Sequence, residues 1–373
     1  MSTTTFSTNS ASTVKLWSQR TLYDFVTDTE MLGQMMKAGT LRRVDDTSKT
    51  AGDRVTVSYL QRLTDQGLLG MQSATGLESA LTYFTDNVSI DQLRIVVENP
   101  APYTIDAQRV LYNIPEDTYR VESEWMKIRG LLGAFNQIAG NTATTITYDG
   151  VAYSGNDRLK ITGLNAAVAP STTSGVTRII RPNGLTTDQA VAADTTATAK
   201  LTDILTCETI AQTSRPYIRP LSETSEIKYH YYVHTQCYMD LMTDASASLQ
   251  YRDIQQALIT SGRGEGEMQR SFVFSQTRVF NSDKIPNGVD SGTSAAVANS
   301  RRNIFTGRDA GGICFGKGFT DGRENVAGFL VKTDFQDVGN LQRIALIGIF
   351  GIKKVVFNSN DNGSIVSVNY SSI

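Results

Sequence analysis

The chain has little of what site chemistry usually draws on. Of its 373 residues only two are histidine and three are cysteine. Cys207, Cys237 and Cys314 form no Cys-x-x-Cys pair, and an odd number gives no disulfide framework, so synthesis in a reducing cytosol is expected. Positive charge is not in excess either: 35 Lys and Arg against 37 Asp and Glu leave a formal net charge of −2. That excludes a nucleic-acid binder working by concentrated phosphate neutralisation, though not a protein that merely surrounds nucleic acid. Long hydrophobic runs are missing. The longest, IALIGIFGI at Ile344–Ile352, is far short of the roughly 20 residues a helix needs to cross a bilayer. The Ser/Thr-rich start, MSTTTFSTNSAST, has no apolar core and is not read as a signal peptide. There is no Gly-x-Ser-x-Gly elbow and no internal repeat.

What is present is a folded protein's balance, with 40% hydrophobic and 19% charged residues in a chain long enough for two domains or one elaborated one. Residues 1–13 read as a flexible polar arm. Leu22, Phe25, Val26 and Leu32 then mark a short helix or two. Val55, Val57 and Tyr59 alternate with Thr56 and Ser58, and Leu81, Tyr83, Val88 and Ile90 resume a period of two. Between these strands the span from Thr64 to Ala80 is far longer than a hairpin turn. It carries Leu68, Leu69, Met71 and Leu77, apolar side chains that a lone ribbon leaves in water. A long hairpin with an apolar tip is therefore expected over 52–98, closed by NPAP at 99–102.

The clearest helix follows Pro115. Val121, Trp125, Ile128, Leu132, Phe135 and Ala139 step by three and four, with Glu122, Glu124, Lys127 and Arg129 around the other sides. Glu116 and Asp117 suit its N-terminal dipole, and Gly140-Asn141 should stop it. From 142 to 200 the composition turns to Thr, Ala, Gly and Ser and reads as a loop-rich insertion, with short strands at TTITYDGVAYSG and VTRIIRP. LTDILTCETIAQTS reads as a helix ended by Arg215-Pro216, and IKYHYYVHTQCYMDLM as a strand turning to helix. A further helix and a Gly-rich turn are expected over TDASASLQYRDIQQALITSGRGEGE, and one strand at FVFSQTRVFNS. KKVVFNS and SIVSVNY flank the turn NDNG at the end. The pattern is α+β.

Three constellations could carry chemistry, and each has a blander reading. His230 and His234 have the i, i+4 spacing of a zinc-binding helix, but the intervening Tyr, Tyr and Val favour a strand, on which four residues span about 13 Å, too far for one metal. GGICFGKG, Gly311 to Gly318, nearly matches a phosphate-cradling loop, but Gly318 stands where a hydroxyl must reach magnesium, so a mobile surface turn is the favoured reading. GRGEGE, Gly262 to Glu267, lacks the third glycine of a dinucleotide fingerprint. Cys207 and Cys314 read as small buried apolar residues. No enzyme, cofactor or metal site is expected.

Several stretches together resemble the major capsid proteins of tailed bacteriophages, above all the group related to N4-like phages. AGDRVTVSYLQRL with LESALTYFTDNVSIDQLR is similar to that family's Gly-Asp strand, loop and returning Asp-Gln strand. YYVHTQCYMDLMTD with YRDIQQA resembles its strand-to-helix segment, RRNIFTGRDAGGICFGKG a segment near its end, and GIFGIKKVVFNSNDNGSIVSV its closing hairpin. The resemblance implies the Hong Kong 97-type capsid fold: an arm and short helices at 1–51, an extended loop at 52–98 and a peripheral domain with spine helix and insertion at 99–200. It further implies an axial domain at 201–340 and C-terminal strands at 341–373 returning to the peripheral domain. The function implied is a structural one, self-assembly through hexamers and pentamers into an icosahedral head around double-stranded DNA. Portal and scaffold or decoration proteins would be its other partners, with no membrane, in the host cytoplasm during assembly and then in the virion. On that reading the hairpin rests on a neighbouring subunit, which covers Leu68, Leu69, Met71 and Leu77. The rival readings are a tail or decoration protein and a nucleotide-binding enzyme.

Some proteins with this fold lock the shell by an isopeptide bond between a lysine of the loop and a neighbour's asparagine. Here no lysine occurs between Lys49 and Lys127, and Arg54, Arg62 and Arg94 stay protonated at physiological pH and cannot act as nucleophiles. Particles boiled in denaturant are expected to run as a single band near 40.7 kDa. A ladder of multimers that survives reducing agent would contradict this.

Overall fold

The computed structural model describes residues 31–44, 54–60, 67–80 apart from 74, 77 and 79, 83–108, 114–173, 176–222, 226–243, 271–316, 328–357 and 359–372. The arm at 1–13 and the GRGEGE segment lie outside them, as do Leu22, Phe25, Val26 and Leu77. Helix α1 (Met31–Lys37) leads to strands β1 (Leu41–Val44), β2 (Arg54–Leu60), β3 (Tyr83–Ser89) and β4 (Asp91–Pro100). Helices α2 (Ile105–Gln108) and α3 (Ile114–Ile138) follow, then β5 (Thr145–Tyr148), β6 (Val151–Ser154), β7 (Thr172–Thr173), β8 (Val176–Thr177) and β9 (Ile179–Ile180). Helices α4 (Asp188–Ala193) and α5 (Leu201–Thr213), strand β10 (Tyr229–His234) and helix α6 (Thr235–Thr243) come next. The rest is strand: β11 (Ser271–Phe274), β12 (Thr277–Ser282), β13 (Asn287–Val289), β14 (Ala296–Thr306), β15 (Gly311–Phe315), β16 (Phe329–Gln336), β17 (Leu341–Lys354), β18 (Val356–Phe357), β19 (Asn360–Asp361) and β20 (Ser364–Tyr370).

Strand β17 organises one half of the molecule. The run IALIGIFGI lies inside it. One edge of β17 pairs antiparallel with β4, from Leu341 opposite Pro100 to Phe350 opposite Asp91. The other edge takes β16 along Leu341–Gly348 and β15 along Phe350–Lys354, and β1 runs parallel to β15. Ile344, Leu346, Phe350 and Ile352 point into a core shared with α3, where Met126, Phe135 and Ile138 are fully buried. The other half is a seven-stranded sheet in the order β11-β12-β10-β14-β20-β9, with β13 against β14. Helices α5 and α6 bury Ile204, Cys207 and Leu241 in the core of that half. Phe135 of α3 meets Tyr232 of β10 with ring centroids 5.7 Å apart, so the helix packs against a strand of each sheet.

Several expectations change on contact with the structure. The two closing strands do not pair with each other. Both edges of β17 are occupied, so β20 crosses to the second sheet and lies between β14 and β9, buried on both faces. FVFSQTRVFNS is a hairpin rather than one strand, turning at Ser275 and Gln276. No glycine marks that turn; the Glu208 carboxylate holds it instead, accepting from Ser275 Oγ, the Gln276 N–H and Thr277 Oγ1. GGICF is not a surface turn but the buried strand β15, where a Cβ on Gly311 would stand 2.7 Å from Leu41 Cδ2. Small residues there serve close packing.

The helix of Val121, Trp125 and Phe135 is present, but its faces differ from the sequence reading. Val121 is exposed, and its first half buries Thr118, Tyr119, Glu122 and Met126. From Leu131 to Ile138 every residue is buried, because sheet, loop and hairpin enclose the helix and a one-sided pattern no longer applies. Arg129 lies over the rings of Trp125, Tyr148 and Tyr153 and donates to the Tyr153 hydroxyl at 2.6 Å. The C-terminus is a Schellman motif, with Gly140 N–H to Gln137 O, Asn141 N–H to Asn136 O and Gly140 at φ 62°. The region 142–200 is tightly tied rather than loose. Buried Asp188 accepts from Arg181 and Arg302, and Arg302 also caps the helix at Gly140 O. Burial opposes the charge of Asp188, but Arg302, the Val289 N–H and Arg181 together hold its carboxyl below the usual range.

Glu122 is the opposite case, fully buried with no hydrogen-bond partner for either oxygen. Desolvation pushes its pKa from 4.5 up to about 8, against a weaker pull from the Val97 backbone. Between those two values the folded chain holds a proton that the unfolded chain releases. The contribution of Glu122 to stability is therefore full below about 4.5 and falls, on the order of 1 kcal/mol per pH unit, as pH rises to about 8. Glu122→Gln is expected to flatten the melting temperature across that range and to raise it by several degrees at pH 8. An unaltered slope would show that the carboxyl finds a partner in solution.

Candidate functional site

Strands β2 and β3 form an antiparallel ribbon from Arg54 opposite Ser89 to Leu60 opposite Tyr83. The alternation of β-branched and polar residues makes both strands, and Thr56 Oγ1 donates across to Asn87 Oδ1 at 2.9 Å. Among its described side chains only those at the base are buried, where Val55 and Val88 pack with Cys314 and Val355. Farther out Tyr83 is exposed, and among the described residues no other strand pairs with the ribbon. Of the 52–98 span, 91–98 belongs to β4 and pairs with β17.

Beyond the ribbon, Gly67-Leu-Leu-Gly-Met turns through left-handed glycines at φ 74° and 61°. Leu68, Leu69 and Met71 are 43%, 83% and 105% exposed, and no residue from Gly67 to Gly76 is charged. Short local bonds hold this shape: the Leu69 N–H to Gln72 Oε1, and the Gly76 N–H to Glu78 Oε2. A second apolar spot lies at the start of β17, where Tyr103 stacks on Phe335 and Val338 is fully exposed at φ 52°. A β-branched residue in that region costs on the order of 1 kcal/mol.

The ribbon is fixed at its root by residues of the body. Lys353 Nζ meets Asp86 Oδ1 at 2.5 Å and the Asn87 carbonyl at 2.9 Å, and Asp86 Oδ2 also accepts from the Val356 N–H. Asn165 accepts from the Ser89 N–H at 3.0 Å and donates to the Ser89 carbonyl at 2.9 Å. Phe84 packs against Phe357, ring centroids 5.8 Å apart. None of these partners was foreseeable from the sequence, because Lys353 and Asp86 stand 267 residues apart. Only the pattern of a strand signalled β17, not which of its lysines would reach the ribbon.

The described parts of the remaining motifs are taken up by strand packing. His230 and His234 lie buried along β10, and burial pushes each pKa down to about 4, with Arg278 and Arg301 respectively adding to the effect. His230 sits edge-on to Phe280, and His234 Nδ1 accepts from the Gln236 N–H. Among the described residues no group of His, Cys, Asp and Glu could hold a metal ion, and no helix is long and apolar enough to cross a membrane. Gly311 and Gly312 are committed to the β15 ladder, and Lys317 and Gly318 lie outside the described residues.

A family model described as "Phage capsid protein" matches residues 5–372. In structure the chain is similar to the capsid of Ralstonia phage GP4, with 21% identity and a TM-score of 0.70 over 90% of this chain and 88% of that one. It is also similar to the capsid of cyanophage Pam1, at 12% identity and a TM-score of 0.62 over 89% and 88%. The head of Helicobacter pylori bacteriophage KHP40 gives 11% identity and a TM-score of 0.56 over 88% of each chain. No curated protein matches the chain in sequence.

The ribbon root also explains one glycine. A Cβ on Gly351 would stand 2.0 Å from the Ser89 carbonyl oxygen, a backbone atom with no freedom to retreat. Gly351→Ala is expected to push Ser89 off Asn165, raise amide exchange at 84–89 at least tenfold and lower the melting temperature by several degrees. Exchange that stays at the wild-type level would show that the root yields without losing its bonds.

Proposed function

Because the chain belongs to the phage capsid protein family, we propose that it builds its shell by head-to-tail contacts in which the tip of each ribbon is covered by a neighbouring subunit. The protein is a structural one, a major capsid protein of the icosahedral shell, and its fold is the α+β Hong Kong 97-type capsid fold. The observation that carries the contact is the tip itself. Leu68, Leu69 and Met71 stand in water within Gly67–Gly76, a stretch without charge, and such a ribbon gains about 25 cal/mol for each Å² of apolar area it buries. Leu77 belongs to the same proposed contact.

Tip and receiver are different surfaces of one chain, so the contact is heterologous and closes into rings when the rotation allows. Rings of six and of five, hexamers and pentamers, tile a closed shell. In this plan 99–200 is the peripheral domain with the spine helix, 201–340 the axial domain, and 341–373 the C-terminal strands that return to the peripheral domain. The arm and short helices at 1–51 and the loop at 52–98 serve contacts between subunits. Relationship to the N4-like group, assembly in the host cytoplasm, portal and scaffold or decoration partners, and double-stranded DNA inside complete the reading. The near-neutral charge fits a container that does not grip its contents.

The test is the triple variant Leu68→Ser, Leu69→Ser, Met71→Ser. The free subunit is expected to keep its melting temperature, while the yield of closed particles in electron micrographs falls at least tenfold. Wild-type shells from this variant would refute the contact, and a subunit that melts many degrees lower would assign the tip to its own core.

A further inference from the structure

The ribbon is a lever, and its use as a contact depends on where it points. Seven residues at about 3.4 Å each make it roughly 24 Å long. A swing of about 10° at the root therefore moves the tip by roughly 4 Å, enough to unseat an apolar side chain whose contacts reach about 4 Å. Only one residue, Ile90, separates the ribbon strand β3 from the body strand β4.

Two fixtures about three residues apart determine a direction. One is the Asp86–Lys353 pair on β17. The other is the carboxamide of Asn165, which holds both backbone groups of Ser89 much as a neighbouring strand would. Asn165 is itself 7% exposed and set by its loop. Gly163 and Leu164 are left-handed, at φ 69° and 64°. The Gly163 carbonyl accepts from the Ile352 N–H at 2.8 Å, and the Thr162 hydroxyl donates to the Asn165 carbonyl at 2.9 Å. The spine helix holds the same loop: Gln137 Nε2 donates to Thr162 O at 2.6 Å and to Asn165 O at 2.7 Å. Asn136 Nδ2 donates to Ile161 O at 2.9 Å. Gly133 of the helix lies so close to Gly163 that a Cβ would come within 2.8 Å of it.

We propose that Asn165 is the positioning residue of the ribbon, fixing the angle at which it leaves the body, and that Gln137 ties this angle to the spine helix. The inference rests on the reading of the ribbon as a contact element but is tested apart from it. A shift of the helix moves the loop at 161–165 through three buried hydrogen bonds and carries Ser89 with it. The apolar packing of Val55 and Val88 attaches the ribbon; the amide of Asn165 aims it.

The experiment measures aim in unassembled full-length subunits. Spin labels are placed on Met71→Cys at the tip and Val121→Cys on the exposed side of the helix, the three native thiols being buried. The wild-type background is expected to give one narrow distance distribution. Asn165→Ala should at least double its width, and Asn165→Asp, which keeps the acceptor for the Ser89 N–H and loses the donor, should fall between. Should the alanine variant not fold, the aspartate variant and Gln137→Leu carry the test. An unchanged width in folded variants overturns the proposal, even where the melting temperature drops. If width is unchanged while the tip variant blocks assembly, the contact stands and Asn165 does not aim it. If width grows while the tip variant still assembles, Asn165 aims a ribbon that makes no contact.

Discussion

A strand has two hydrogen-bonding edges, and β17 has both occupied almost from end to end. Most of the architecture follows from that saturation. With no edge left to offer, the chain's last strand must join another sheet, which links the two halves through covalent chain as well as through packing. With one face turned to the spine helix, the strand holds that helix along its length. Its two ends carry the features that face outward, the ribbon root at Gly351–Lys354 and the exposed turn before Leu341. The strand thus lies between two exposed apolar spots, the one beyond the ribbon and the one around Tyr103, Phe335 and Val338.

Legibility followed the range of the interactions. Local signals were clear. The helix stop at Gly140-Asn141, the short strands in TTITYDGVAYSG and the strand-to-helix change within IKYHYYVHTQCYMDLM each depend on neighbours within a few residues. The exposure of Leu68, Leu69 and Met71 was legible too, because no hairpin of that length can cover its own tip. Hidden from the sequence were features that depend on distant partners. Glu122 looks like a solvated carboxylate on a charged helix side, and only the sheet that covers it makes it buried. GGICF looks like a turn because glycine usually marks one. Here it admits Leu41 and Ile138 to the strand surface. Lys353 and Asn165 gave no signal at all, since a lysine on a strand and an asparagine in a loop are ordinary until Asp86 and Ser89 arrive beside them.

The free energy of the subunit also shows a division of labour. Charged groups inside the body are closely paired at Asp188, between two arginines, and at Lys354 against Asp361, both sealed from water, while Glu122 is buried without such a pair. Further unfavourable features lie at the periphery. The tip leaves leucine and methionine unburied, and Val338 holds a left-handed backbone without a contact to justify it. A subunit on its own gains nothing from either arrangement. Both make sense where the lowest free energy belongs to the assembly rather than to the chain.

The three thiols have a last consequence. Cys207, Cys237 and Cys314 are all sealed. Burial pushes Cys237 up to about 12 and Cys207 well above its ordinary value, so thiolate, the form that reacts, is scarce at neutral pH. Disulfide exchange and peroxide oxidation both require that anion and access to it. Within the folded subunit the cysteines therefore offer neither reaction a ready nucleophile, whatever the oxidant outside.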